Sequence, residues 1–240
     1  MELNCDIGED YGQYTFHNDE QLLPYVNAVN IACGFHAGDF QSIAKTVTLA
    51  KNHHVHIGAH PGYPDIQGFG RRAIHFSADE IYHMMLYQLG AIDAFVKVKG
   101  ATLHHVKPHG ALYNSASTNE LVATAIVNAI YDYNPELLLY GLSGSVLATI
   151  GEEKGLVVKH EVFADRTYQA NGTLTDRKET NALIEDEELA LEQVKTMLYH
   201  QKVKTIKGHY IPIKADTICV HGDTQKAIVL IKKIHPLLQN

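Results

Sequence analysis

The chain has 240 residues, of which 45% are hydrophobic and 20% are charged, as in an ordinary folded globular protein. Its 20 Lys and Arg residues are outnumbered by 27 Asp and Glu residues, which gives a formal net charge of −7 and a surface that repels nucleic acid phosphates and anionic membranes. The N-terminus lacks the basic and apolar segments of a signal peptide, and no apolar run approaches the roughly 18 residues of a membrane span. We therefore expect a soluble, cytoplasmic protein that binds neither nucleic acid nor membranes.

Short apolar runs alternate along the chain with stretches of helical periodicity. The predicted elements are, in chain order, strand 2–6, a glycine-rich turn at 8–12, strand 30–34, a helix from about residue 40, strand 55–59, a helix from residue 77, strand 103–107, a helix after residue 118 that stops before residue 134, strand 137–142, helix 145–154, strand 157–163, an irregular stretch 165–181, helix 187–200, strand 217–220 and helix 224–235.

Several helix boundaries carry specific signals. Ser77 and Glu80 form a capping-box pattern at the start of one helix. Gly155 follows the last residue of another, as a left-handed C-terminal residue does. The three cysteines, Cys5, Cys33 and Cys219, lie in apolar segments without CxxC spacing, so we predict buried thiols.

Strands that alternate with helices pair in parallel through right-handed crossovers. Such a sheet is either open or closed into a barrel. An open sheet concentrates its site near one switch point, whereas here every predicted strand ends in polar side chains. The sequence therefore predicts an α/β fold, a (β/α)7-type TIM-like barrel that forms a single domain over residues 1–240.

Polar residues of one parity at these strand ends point together into the barrel mouth, because strand side chains alternate with a period of two. The clusters that leave the strand ends are Asn4 and Asp6; Asn30, His36 and Asp39; Gly58 and His60; His105, Lys107 and His109; Glu161, Phe163 and Asp165; and Cys219, His221 and Asp223. Carboxylates, imidazoles and an amine at one end of a barrel indicate a catalytic or binding mouth.

Standard cofactor motifs are missing from the sequence. It contains no GxxxxGK[ST] motif, so nucleotide chemistry requires another cradle or another subunit. It also contains no HExxH motif, although Asp6, His36, His60 and His221 are placed to converge on a metal. The sequence therefore leaves open whether the chain binds a divalent metal.

Seven segments of the chain resemble the signature blocks of the LamB/YcsF family, in the same order and over nearly the whole sequence. They are NCDIGE at 4–9, NIACGFHAGD at 30–39, GAHPGYPD at 58–65, GFGRR at 68–72, HVKPHGALYN at 105–114, EVFADR at 161–166 and HGD at 221–223. Two departures, Asn181 and Gln225, concern residues beside the mouth. The family supplies the A subunit of prokaryotic 5-oxoprolinase. The resemblance implies a (β/α) barrel related to glycoside hydrolase and deacetylase barrels. It also implies ATP-dependent opening of 5-oxo-L-proline to L-glutamate, together with the partner subunits B and C.

That reaction needs a base for water, donors for a developing oxyanion and an acid for the ring nitrogen. Asp6, Glu161 or a histidine is the expected base. Lys107, with Arg71, Arg72 or Arg166, is expected to hold anionic oxygens, and His60 or His109 to protonate nitrogen. The remaining candidate binding residues are Asn4, Asn30, His36, Tyr113, Asp165, His221 and Asp223.

Two other functions remain open at this point: a metal-dependent carbohydrate deacetylase-like barrel hydrolase, and a non-catalytic module that binds a carboxylate metabolite. For all three functions we expect that replacing mouth residues such as Asp6 or His109 leaves the fold intact, since a mouth residue is not part of a core.

Overall fold

A closed parallel barrel organises the chain in the computed structural model, which describes residues 1–15, 19–220 and 225–239. The strands are β1 (Glu2–Ile7), β2 (Ala28–Ala32), β3 (His56–His60), β4 (Leu103–Val106), β5 (Leu138–Leu142), β6 (Val158–Phe163), β7 (Lys202–Lys204), β8 (Tyr210–Pro212) and β9 (Thr217–Val220). The α-helices are α1 (Asp19–Leu22), α2 (Phe40–Asn52), α3 (Ala78–Val98), α4 (Gly110–Ala116), α5 (Glu120–Tyr133), α6 (Val146–Lys154), α7 (Glu187–His200) and α8 (Gln225–Ile234).

The barrel closes in the order β1-β2-β3-β4-β5-β6-β9, and β7 and β8 form a separate antiparallel hairpin. Every neighbouring pair of barrel strands is parallel. The predicted (β/α)7 barrel is thus confirmed. No helix among the described residues is long and apolar enough to cross a membrane.

The register places polar residues of one parity side by side inside the barrel. Asp6 pairs with Asn30, Asn30 with Gly58, and Gly58 with His105 around four consecutive strands. Because neighbours in register share a face of the sheet, this row forms one interior layer. This interior layer supports the side chains of the site.

Local sequence signals set the helix boundaries. Ser77 caps α3 in a capping box with Glu80, as predicted, and Gly155 ends α6 at a φ of 97°. The apolar face of α3 buries Ile81, Met85 and Leu89 against the core. Helices of this kind surround the barrel and hold its strands in place.

Three local predictions were wrong or incomplete. Strand β2 lies two residues earlier than predicted, since Gly34 takes a φ of 92° and turns the chain out of the sheet. Helix α4 was missed because its seven residues give too short a periodicity to recognise. The hairpin β7–β8 was missed because its strands have three residues each in a polar segment.

Gly58 tests the packing of the interior layer. A Cβ on Gly58 would overlap the imidazole of His105, which stacks on Tyr140 with ring centroids 4.0 Å apart and so has no room to move. We expect Gly58→Ala to lower the free energy of unfolding in urea by about 1–3 kcal/mol, as overpacking does. Gly90→Ala is the control, because nothing lies within 4 Å of its Cβ position in α3. That substitution should raise stability by up to about 1 kcal/mol. Equal effects of the two substitutions would contradict this packing.

Candidate active site

The ammonium group of Lys107 lies at the centre of the barrel, immediately after β4. It donates to Asp6 Oδ1 at 3.0 Å, to Glu161 Oε1 at 2.9 Å and to Cys219 Sγ at 3.1 Å, with Asn4 Oδ1 at 3.4 Å. These four acceptors compete for three N–H bonds. Lys107 therefore joins β1, β4, β6 and β9 through one charged group.

Burial and charge act on Lys107 in opposite directions. The side chain is 2% exposed, and its burial disfavours the charged form. The negative charge of Asp6 and Glu161 outweighs that burial and holds the pKa of Lys107 well above its usual value. Lys107 is therefore an ammonium at neutral pH.

Asn30 orients the carboxylate of Asp6. Asn30 Nδ2 donates to Asp6 Oδ1 and to Asn4 Oδ1, each at 2.8 Å. His105 Nε2 in turn lies 2.8 Å from Asn30 Oδ1. Because Asp6 Oδ1 is held by both Asn30 and Lys107, the second oxygen, Oδ2, faces His60 Nε2 at 3.4 Å.

Glu161 is enclosed more completely than Asp6. Its Oε1 accepts from Lys107 and, at 3.1 Å, from Asn4, while its Oε2 accepts from the Tyr113 hydroxyl at 2.7 Å. The side chain is fully buried. Glu161 therefore serves as a counter-charge for Lys107, and Asp6 is the carboxylate that faces open space.

A cavity of about 550 Å³ opens over this centre. Its buried lining residues include Asp6, His60 and Lys107, and its exposed ones include Arg71 and Lys178. Among the residues that the structure describes, the cationic lining residues are Arg71, Lys107, Arg166, Arg177 and Lys178, and the acidic ones are Asp6 and Asp176. The excess of cations favours an anionic ligand.

The structure separates the predicted residues into two groups. Those that line the cavity are Asp6, His60, Arg71, Lys107, His109, Tyr113 and Arg166. Those that lie behind or beside it are Asn4, Asn30, His36, Glu161, Asp165 and Arg72. His221 and Asp223 lie outside the described residues.

Neighbouring arginines have different roles. Arg71 lines the cavity, whereas Arg72 forms an ion pair with Asp65 and lines a separate groove. Arg166 donates to the backbone oxygens of Thr175 and Ala182, at 2.6 and 3.3 Å. Burial lowers the pKa of Arg166 to about 10, so it is still a cation at neutral pH.

Beside Asp6, His60 and His109 form a hydrogen-bonded pair with defined tautomers. His60 Nδ1 lies 2.8 Å from the Lys107 backbone oxygen, and His109 Nε2 lies 2.8 Å from the Phe69 oxygen. Since a carbonyl oxygen only accepts, both of these nitrogens carry a proton. The two inner nitrogens, 2.9 Å apart, are therefore lone pairs when both rings are neutral.

The burial of this centre corrects one expectation. Asp6 is 7% exposed and His109 is 5% exposed, while Glu161 is fully buried. Removing one partner of a buried ion pair leaves an uncompensated charge and typically costs about 3–5 kcal/mol. We therefore expect that replacing residues of this centre costs stability.

Sequence reasoning missed Glu9 and the cationic residues Arg177 and Lys178 as parts of the site. Glu9 is 8% exposed and lies within 4.8 Å of three imidazoles, but it follows β1 in a turn, where strand parity no longer applies. Cys219 was predicted as a buried thiol, which it is, and also as part of the cluster at the end of its strand. Burial raises the pKa of that thiol, so Cys219 accepts from Lys107 as a neutral group.

Known proteins resemble this chain over its whole length. The LamB/YcsF family model matches residues 1–240. A protein from Brevibacillus brevis, named as the A subunit of 5-oxoprolinase, is 51% identical over 238 residues, which cover 99% of this chain and 94% of that protein. A protein of the same name from Bacillus cereus (strain Q1) is 49% identical and covers 100% of this chain and 95% of its own length.

A solved structure extends the likeness to three dimensions. The lactam utilization protein from Thermus thermophilus is 40% identical and superposes with a TM-score of 0.92, covering 100% of this chain and 96% of that one. Its barrel, the full-length family match and the relatives at about half identity agree with one another. The chain therefore belongs to the LamB/YcsF family.

Proposed function

We propose that this chain is the A subunit of an ATP-dependent 5-oxoprolinase, which opens the lactam of 5-oxo-L-proline to give L-glutamate. The observation that carries the proposal is the Asp6–Lys107 pair, 3.0 Å apart, at the buried end of a cationic cavity. Relatives that bear the name of this subunit support it. Since their name describes one subunit of several, it also supports an assembly, for which we propose the partner subunits B and C.

The lactam carbonyl is a poor electrophile, and the ring nitrogen is a poor leaving group. In this proposal the partner subunits transfer a phosphoryl group from ATP to the lactam oxygen, and ADP and the amide proton leave. Water then attacks the ring carbon and the C–N bond breaks, which gives γ-glutamyl phosphate. A second water releases phosphate and leaves glutamate.

Asp6 and Lys107 have complementary roles in the ring-opening step. Asp6 takes one proton from the attacking water and passes it to the ring nitrogen, then takes the second from the new hydroxyl and passes it to the same nitrogen as the C–N bond breaks. Lys107 donates to the water-derived oxygen on the attacked carbon as that oxygen gives up its second proton and negative charge develops on it. The sequence predicted His60 or His109 as the acid. When both rings are neutral, their protons are held by backbone oxygens and the inner nitrogens carry no proton. This favours Asp6 as the proton carrier.

The cationic rim suits the substrate. 5-Oxoproline carries a carboxylate, and its phosphorylated form carries further negative charge. Arg71 and Arg166 at the cavity are suited to hold such oxygens, because a guanidinium binds carboxylate and phosphate with paired N–H groups.

Glutamate and ADP formation by the purified chain with subunits B and C tests the function. We expect both products in equal amounts from 5-oxoproline and ATP, and no glutamate from the chain alone. Binding of 5-oxoproline without turnover in any combination would favour a metabolite-binding module. Release of acetate from an acetylated sugar would favour the deacetylase alternative.

Substitutions at the pair test the catalytic assignment. We expect Lys107→Met to lower kcat of the assembled enzyme about a hundredfold or more, the size of losing one oxyanion donor, with a much smaller change in KM. Asp6→Asn, which keeps the side-chain shape, should lower kcat about as much. The control is Lys195→Met, an exposed lysine of α7.

Circular dichroism checks that each variant is folded at the assay temperature. The near-isosteric Asp6→Asn keeps the test decisive if Lys107→Met does not fold. Wild-type kcat in a folded Asp6→Asn enzyme would contradict the assignment.

Arg71 tests the binding of the anionic substrate. We expect Arg71→Gln to raise KM about tenfold and to change kcat little, because it removes an interaction shared by the ground state and the transition state. Arg71→Lys keeps the positive charge and should recover most of the lost affinity. A KM unchanged by Arg71→Gln would show that the anion lies elsewhere in the cavity.

A further inference from the structure

One polar side chain from each of the first four barrel strands lies at a common point beside the cavity. Glu9 follows β1, His36 follows β2, His60 ends β3 and His109 follows β4. All four are buried, and one donor atom of each lies within 4.8 Å of the others. We call these residues the imidazole cluster.

The His60–His109 pair brings two ring nitrogens together inside this cluster. Backbone oxygens hold the outer N–H of each ring, so two lone pairs face each other at 2.9 Å when both rings are neutral. Lone pairs at this distance repel unless a cation lies next to both. An imidazole fixed by a backbone carbonyl on its other nitrogen is the usual arrangement of a metal ligand.

His36 supplies a second, independent observation. Its side chain is fully buried, and neither ring nitrogen has a hydrogen-bond partner among the described residues. Its Nε2 lies 3.8 Å from Glu9 Oε1, and its ring stacks on His109 with centroids 3.7 Å apart. A buried polar group without a partner is expensive, so His36 is explained by a ligand.

Two glycines make room for the stacked rings. A Cβ on Gly62 would lie 2.7 Å from His36 Nδ1, and one on Gly70 would lie 2.6 Å from His36 Cβ and 2.9 Å from His109 Cδ2. Neither space is open to another side chain. Glycine at these two positions therefore leaves the space that the rings of His36 and His109 occupy.

We propose that Glu9, His36, His60 and His109 bind one divalent cation of the zinc type. Three imidazoles and a carboxylate form a donor set that zinc and its neighbours in the first transition row accept. Two ligand atoms on a tetrahedral zinc are separated by about 3.4 Å, and the His60–His109 and His36–Glu9 distances lie on either side of that value. Zinc binding at this site does not require that the proposed 5-oxoprolinase activity be correct.

The position of the site gives it a chemical consequence. Asp6 Oδ2 lies 3.4 Å from His60 Nε2, so the cation binds next to a buried carboxylate that lines the cavity. A cation there polarises an oxygen held beside Asp6 and lowers the pKa of bound water. Asp6 and the imidazole cluster thus form neighbouring parts of one mouth.

Zinc titration of the purified chain, stripped with a chelator and followed by calorimetry, tests the proposal without any activity assay. We expect one zinc per chain with a dissociation constant in the micromolar range or below. His36→Gln and Glu9→Gln should each weaken binding at least tenfold. Cobalt(II) added instead should give the visible absorption of a nitrogen-bound site, which the variants lose.

A second group at the opposite end of the barrel provides the matched control. Glu2, His56 and His104 also have donor atoms within 4.8 Å of one another, but they are only partly buried. His104→Gln should leave zinc affinity and stoichiometry unchanged, as should His200→Gln in the exposed last turn of α7. No zinc binding by the wild-type chain would overturn the proposal. Binding that His104→Gln abolishes and His36→Gln retains would do the same.

Discussion

The ammonium of Lys107, buried between two carboxylates, is the interaction on which the interior of the barrel depends. A buried charge is tolerated only when it is paired and hydrogen-bonded. Asp6 and Glu161 pair with it from β1 and β6. Asn4 donates to Glu161 and accepts from Lys107. Because β4 supplies the lysine, the same group joins elements that are far apart in sequence.

The two carboxylates differ in what else they contact, and this difference separates their roles. Tyr113 and Asn4 close around Glu161, which leaves it as a fixed counter-charge. Asp6 keeps one oxygen toward His60 and lines the cavity. Strand alternation alone, which directs polar side chains to one face of the sheet, would not make the two carboxylates differ in their contacts. The difference arises because the Tyr113 hydroxyl reaches across from α4.

The fold was largely accessible from the sequence because strand and helix periodicities are local properties. Alternation also brought Asp6, Lys107 and Glu161 together correctly, since residues of one parity at parallel strand ends share a face. Loops have no such period. Nothing local distinguishes Arg71 from Arg72, and only the folded position of Asp65 decides which arginine lines the cavity. Glu9 was missed for the same reason.

The tautomers of His60 and His109 could not be predicted from the sequence. They are set by the backbone oxygens of Lys107 and Phe69, and a sequence does not say where a backbone oxygen of a loop will point. The sequence put His36 and His60 near a possible metal together with Asp6 and His221. The structure instead joins these two histidines to Glu9 and His109, with Asp6 beside them and His221 outside the described residues.

The central claim is that Asp6 and Lys107 act as one catalytic unit. A double-mutant cycle of Asp6→Asn and Lys107→Met, measured as kcat for glutamate formation by the assembled enzyme, tests it most directly. If the two residues act together, the double variant is no slower than the slower single variant. Losses that multiply, as those of independent residues do, would contradict the claim.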